Sequence, residues 1–199
     1  EDTFWVKASG SRMGAAHGRD FVRVRTQKVL RVLDEPPLPE SEVRNRLTAA
    51  KIDPKAPGAP SIETPLHALC LTLGDATFVG HTHPTPVNAI LCARDAREAF
   101  LGSIFPAESL VCGKPLFVPY APPGQPLGQA VSKALRSAID RRDEPPRAIL
   151  LQNHGLVALG STPQEVLDIT AMMVKAARIL IGTYALSGPH FIDNNGSER

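Results

Sequence analysis

Apolar residues gather early in the chain into short strand-like runs, at Thr3 to Ala8, Phe21 to Arg25 and Lys28 to Leu33. Together they predict an antiparallel meander, with the glycine-rich polar stretch SGSRMGAAHGRD linking the first two. Two proline-rich connectors follow, DEPPLPE and DPKAPGAPS, flanking a short helix from Ser41 to Ala50 with Ser41 as its capping residue. Neither connector is long enough to separate domains. Further on, the spacing predicts a helix over Pro65 to Leu73, a strand from Thr77 into VGHTHP, and one or two helices over Thr85 to Leu101. PLFVPYAPPGQPLG reads as a strand opening into a loop, and Gln129 to Arg141 as a helix. Arg147 to Leu159 reads as a hairpin, with apolar runs AILL and LVAL on either side of QNHG. The final helix is announced by Thr162, Pro163 and Glu165 as a capping box with proline at the first turn; it continues through Tyr184 and stops at Gly188 and Pro189.

Two of these elements carry candidate chemistry. In a strand, residues two apart project from one face, so His81 and His83 point together while Thr82 points away, and Pro84 then stops the ladder. His154 sits at the predicted hairpin tip, between Asn153 and Gly155, which tolerate turn geometry. Two same-face imidazoles and a third on a tight turn make a three-nitrogen metal site with one position open to substrate, water or a carboxylate. Chance HxH pairs occur too, so spacing alone leaves metal binding and ordinary hydrogen-bonded histidines both open. Glu63, just before the helix in SIETPLHALCL, offers a carboxylate as fourth ligand or general base, or else only compensates that helix's N-terminal charge. His67, four residues on, shares its helical face and reads as a structural histidine. His17 and His190 read as solvent-facing, and Lys7 as a surface residue rather than a Schiff-base former. Gln152 and Asn153 either orient His154 or satisfy the turn.

Composition narrows the class. With 199 residues, 43% of them hydrophobic and 21% charged, a single domain with a substantial core is expected. The net charge of +2 is spread over interleaved acids and bases, so neither a nucleic-acid partner nor an anionic lipid surface is indicated. No apolar run approaches a membrane span, and no leader-like start is present. Three cysteines, Cys70, Cys92 and Cys112, lie far apart among apolar neighbours, which predicts buried free thiols and a cytoplasmic location. Strand-like sequence begins at once after Glu1, so a segment upstream of the chain is expected to be missing.

With SIETPLH, VGHTHP and QNHG in that order, the chain resembles the class II aldolase and adducin N-terminal family, from about Phe4 to Tyr184. The resemblance implies an α/β fold, a three-layer α/β/α sandwich around a largely antiparallel central sheet, assembled as a homotetramer with sites near subunit contacts. It also implies Zn2+ or another divalent metal on His81, His83 and His154, and a catalytic acid/base at Glu63. The activity implied is a lyase reaction, (retro-)aldol cleavage of a hydroxy-ketone or sugar, phosphorylated or not. The residues suit that chemistry. Breaking a carbon–carbon bond beside a ketone leaves electrons to be held as an enediolate, which a Lewis-acidic cation stabilises while a carboxylate moves the proton.

Ser9 and Gly10 in KASG, with Ser61, match positions that bind substrate phosphate in family aldolases; an ordinary polar turn is the other reading. Three departures bear on the substrate. Ile62 stands where the fuculose phosphate type has a second phosphate-binding serine, and it has no hydroxyl to offer. The upstream Gly-Asn-x-Ser segment is absent before Glu1. PAESL, at Pro106 to Leu110, lacks the tyrosine that some members contribute as proton donor, and Tyr120 is placed by motif as structural. SIE and KASG are similar also to the aldolase-like half of bifunctional aldolase and dehydrogenase proteins, though this chain has no room for the second half. The same metal and carboxylate would serve a dehydratase, decarboxylase or epimerase. A non-catalytic adducin-like interaction module is the third reading, disfavoured because such heads have lost metal ligands.

Overall fold

A computed structural model describes residues 2–100, 102–141 and 144–192. Its contacts divide the chain into two compact units, Glu1–Thr72 with Ala121–Lys133 and Leu73–Tyr120 with Ala134–Arg199. The fold is mixed α/β with a central, largely antiparallel sheet, the class that the sequence predicts.

In the first unit, β1 (Thr3–Lys7) pairs antiparallel with β2 (Phe21–Arg25), Phe4 facing Val24 and Val6 facing Val22. Strict alternation explains β2: Val22 and Val24 are fully buried while Arg23 between them is exposed. The third expected strand is instead a helix, α1 (Thr26–Asp34). Its buried residues, Thr26, Val29 and Val32, recur every three positions with Lys28 and Arg31 exposed between them, so one helical stripe reaches the core where a strand would bury alternate residues. Helix α2 (Glu40–Ala49) starts one residue earlier than expected and is not capped by Ser41, which lies exposed inside its first turn; Pro39 holds the cap position. Helix α3 (Thr64–Leu73) follows the second proline-rich connector. Val6, Val22, Val24, Val29, Val32, Val43 and Leu47 form the core of this unit.

The second unit is built on a four-stranded sheet. It comprises β3 (Phe78–Thr82), β4 (Leu116–Val118), β5 (Ala148–Leu151) and β6 (Gly155–Gly160), in the order β3-β6-β5-β4. The β5–β6 hairpin has the expected tight turn, closed at Leu151 and Gly155; both strands are buried along their whole length, as central strands must be. β4 joins β5 in parallel and β3 joins β6 antiparallel. Thr85 to Leu101 resolves into α4 (Thr85–Leu91) and a 3-10 turn at Glu98–Phe100, Leu101 lying outside the described residues. PAESL belongs to a short helix the pattern did not announce, α5 (Pro106–Cys112), while α6 (Gln125–Asp140) begins four residues before its predicted start. The long α7 (Pro163–Tyr184) packs on β6 and β3 and against α4 and α5. Thr162 caps it as expected, its hydroxyl accepting the Glu165 N–H at 3.1 Å while the Glu165 carboxylate accepts the Ser161 N–H at 2.7 Å. Among the described residues no helix is long and apolar enough to cross a membrane. Cys70 and Cys112 are buried free thiols; Cys92, expected to be buried, is exposed just past the end of α4.

Candidate metal centre

The sheet of the second unit delivers its three histidines to one place. His81 lies on β3 opposite Val157 of β6, His83 follows one residue after β3 ends, and His154 closes the β5–β6 turn. The His81 Nε2 atom stands 3.1 Å from Nε2 of His83 and 3.2 Å from Nε2 of His154, and the three ring centroids are 4.8 to 5.1 Å apart. One ligand atom from each ring falls within 4.8 Å of the others. A tetrahedral metal with nitrogens at about 2.0–2.1 Å sets its ligand atoms about 3.3–3.4 Å apart, close to the separations of His81 Nε2 from its two neighbours.

Ring orientation supports the same use. His81 Nδ1 lies 3.0 Å from the Leu156 carbonyl, which can only accept, so Nδ1 donates there and Nε2 is the ring atom that faces the other two imidazoles. Three imidazole nitrogens without a thiolate form a donor set for zinc and its first-row neighbours, and three protein ligands leave a tetrahedral position for substrate. The residues present therefore fit a divalent cation.

The turn bearing His154 is tightly specified. Asn153 adopts a left-handed φ of 54°, a conformation asparagine tolerates better than most residues, and its N–H donates to the Leu91 carbonyl at 3.1 Å. Gln152 serves the turn rather than the imidazole: its side-chain oxygen accepts the Tyr120 N–H at 3.2 Å, and its own N–H donates to Val118. Asn88, on α4, donates from Nδ2 to the His154 carbonyl at 2.9 Å. Sequence reasoning missed Asn88, because nothing local to α4 reveals an acceptor 66 residues away. Gly155 is more than a turn residue, since a Cβ there would stand 2.5 Å from His83 Cδ2 and 2.6 Å from the Thr82 carbonyl oxygen.

The remaining candidates lie in the first unit. Ser61 opens the turn into α3, its hydroxyl accepting the Glu63 N–H at 3.3 Å and its carbonyl accepting from the Thr64 N–H and hydroxyl. Glu63 is half-buried in that turn, and its carbonyl receives the N–H groups of Leu66 and His67. Ser9 and Gly10 form an exposed turn after β1, with Gly10 at a φ of 84° that favours glycine. A bridge between Ala8 and Pro60 sets this turn alongside the segment that leads to Ser61. The Ser9 N–H is already committed to the Ala59 carbonyl at 2.8 Å, so of the two candidate amides it is the less suited to an anion. His17 and His190 are exposed as expected. The Lys7 ammonium donates to the Ala8 and Ser11 carbonyls, a structural use of that cation.

Comparison with known proteins gives a consistent picture. The family model described as class II aldolase and adducin N-terminal domain matches residues 1–181. Among solved structures, an L-fuculose 1-phosphate aldolase is similar at a TM-score of 0.70 and 18% identity, over 97% of this chain and 76% of that one. The N-terminal class II aldolase domain of a conserved protein from Thermoplasma acidophilum aligns at a TM-score of 0.67 and 24% identity, covering 88% and 73%. A sugar-phosphate aldolase from Thermotoga maritima aligns at 0.64 and 18%, covering 92% and 72%. None of the curated protein sequences compared with the chain matches it.

Proposed function

The chain belongs to the class II aldolase and adducin N-terminal domain family, and we propose that it is a divalent-metal-dependent lyase that cleaves a hydroxy-ketone or sugar by a retro-aldol reaction. The observation that carries this reading is the convergence of His81, His83 and His154, with His81 Nε2 facing Nε2 of both neighbours. What a cation held there supplies is Lewis acidity toward the carbonyl and hydroxyl oxygens of the substrate.

The chain's own residues supply the rest. The three imidazoles are neutral ligands, so they leave the positive charge of the site undiminished for an anionic transition state. Glu63 is the proton carrier in this reading. In the synthetic direction it takes a proton from the carbon beside the carbonyl and the aldehyde oxygen gains one as the new bond forms. In cleavage the substrate hydroxyl gives up its proton and becomes the carbonyl of the departing aldehyde, the electrons of the broken carbon–carbon bond pass to the ketone fragment as an enediolate, and a proton delivered through Glu63 to that carbon completes the ketone. Ser9, Gly10 and Ser61 are the candidates to hold a substrate phosphate, and the apolar Ile62 beside them favours a ligand that makes fewer phosphate contacts than fuculose phosphate. A homotetramer acting on small-molecule sugars in the cytoplasm completes the reading, and three free cysteines suit a reducing compartment.

The test joins metal analysis to a product assay. Purified protein is expected to hold close to one zinc per chain, lost in His81→Ala and His154→Ala. Aldehyde release is then followed over phosphorylated and free ketoses, L-fuculose 1-phosphate included. Glu63→Gln should keep the metal and lose turnover. Protein that takes up no zinc would overturn the reading in favour of an adducin-like binding module; products of dehydration, decarboxylation or epimerisation would keep the metal centre and replace the reaction.

A further inference from the structure

The helix that follows the first two ligands also grips the third. Chain direction takes β3 through His81 and His83 to Pro84, which occupies the cap position of α4. Two groups on α4 then reach the β5–β6 turn: Asn88 Nδ2 donates to the His154 carbonyl at 2.9 Å, and the Leu91 carbonyl accepts the Asn153 N–H at 3.1 Å. The peptide unit that follows His154 and the one between Gln152 and Asn153 are thus fastened to the helix that follows the other two histidines. The Leu91 contact uses backbone and is open to any residue type. The Asn88 contact depends on a side chain.

Asn88 makes that contact at a cost. Its Oδ1 atom is buried with no hydrogen-bond partner among the described residues, and a buried acceptor left unpaired is destabilising. An aliphatic side chain would escape this penalty and give up the grip on His154. Shape alone does not call for an amide; a carbonyl that needs a donor does.

We propose that Asn88 is a positioning residue of the metal centre, fixing the peptide of His154 so that its imidazole meets those of His81 and His83 at coordinating distance. The inference rests on the metal-centre reading above. It assigns Asn88 no contact with metal or substrate. Its effect passes through the His154 backbone, so it falls on metal affinity and coordination geometry before it falls on turnover.

Zinc dissociation constants, measured by competition with a chromophoric chelator, and the d–d absorption of the cobalt-substituted protein test this on the full chain. Asn88→Leu keeps the approximate volume and removes the donor; Asn88→Asp keeps the shape and sets a carboxylate against the His154 carbonyl. Both should bind zinc about 10–100-fold more weakly than the parent, the range for partners that orient metal ligands, with a shifted or weakened cobalt band. Melting in the presence of EDTA separates this from loss of fold, and Asn88→Ser stands in for either variant that fails to fold. If the parent binds zinc and the folded variants bind it within twofold with an unchanged cobalt spectrum, the positioning role is refuted and the metal centre stands. A parent that binds no zinc refutes the metal centre, and this role with it.

Discussion

Replacing Gly155 with alanine is the sharpest test of the geometry, because one methyl group is asked to disturb two histidines at once. Gly155 opens β6 and pairs with Leu151, and its φ is not among the positive values, so alanine meets no backbone strain there. The added Cβ would lie 2.5 Å from His83 Cδ2, 2.6 Å from the Thr82 oxygen and 3.3 Å from His81 Cε1. Optimal contacts between such atoms begin near 3.5 Å, so each of the two closest must retreat by about 1 Å. The His83 ring can swing, but its Nε2 then leaves its place 3.1 Å from that of His81. The Thr82 oxygen is backbone, in a strand paired residue by residue with β6, and it yields only if the ladder parts.

Metal sites tolerate ligand displacements of about 0.2 Å, so a shift several times larger removes His83 from the coordination sphere. Zinc affinity in Gly155→Ala should fall by more than about 100-fold, beyond the range of changes that merely reorient a ligand. Overpacking of this kind costs about 1–3 kcal/mol, which lowers the melting midpoint of a chain this size by about 2–12 °C. Gly182→Ala is the control: on α7, with nothing within 4 Å of the added methyl, it should stabilise by about 0.5–1 kcal/mol and leave zinc binding untouched. Chelator competition and thermal melts with and without EDTA read both variants. A Gly155→Ala protein that binds zinc like the parent would refute the placement of His83 and Thr82 around this glycine.

Two further outcomes follow from buried groups away from the centre. Glu108 is buried on α5, its carboxylate accepting the Ile104 N–H at 2.9 Å, and burial raises its pKa above the ordinary carboxylate value. The unfolded chain therefore ionises first as pH rises, so stability is lost from about pH 4.5 upward until the folded carboxyl has also ionised. Glu108→Gln keeps an acceptor for Ile104 and removes the charge; it should match the parent near pH 3 and melt higher at pH 7, and equal midpoints at pH 7 would count against the assignment. Among the thiols, burial pushes Cys70 and Cys112 up to about 12 while Cys92 is exposed. A disulfide reagent at pH 8 should titrate one thiol per native chain, lost in Cys92→Ser, and all three after denaturation; three fast thiols in the native protein would contradict the burial.

What the letters revealed, and what they hid, divides along the range of the interactions involved. The hairpin and α7 were legible because their signals are local: AILL and LVAL around a turn able to take a positive φ, and Thr162 with Glu165 three residues on. His81 and His83 were legible for the same reason, since a period of two running from β3 to the residue just past its end brings both imidazoles together. Lys28 to Leu33 misled because two valines three apart, split by Leu30 and Arg31, suit a short strand and one turn of helix alike; the core formed with Val22, Val24, Val43 and Leu47 selects the helix. α5 is only seven residues long and opens on a proline, which left too little periodicity to find. Cys92 has apolar sequence neighbours on either side yet falls at the exposed end of α4, where the helix ends and burial ceases. Placing His154 beside the other two histidines depends on the register of β6 between β3 and β5, Thr82 facing Leu156 and Leu151 facing Gly155. A slip of one residue would turn every side chain of β6 to the opposite face and withdraw the Leu156 carbonyl from His81 Nδ1. The three histidines can therefore be named from sequence as candidate ligands, while the distances that bring them together belong to strand pairing and to side chains such as Asn88 that join distant segments.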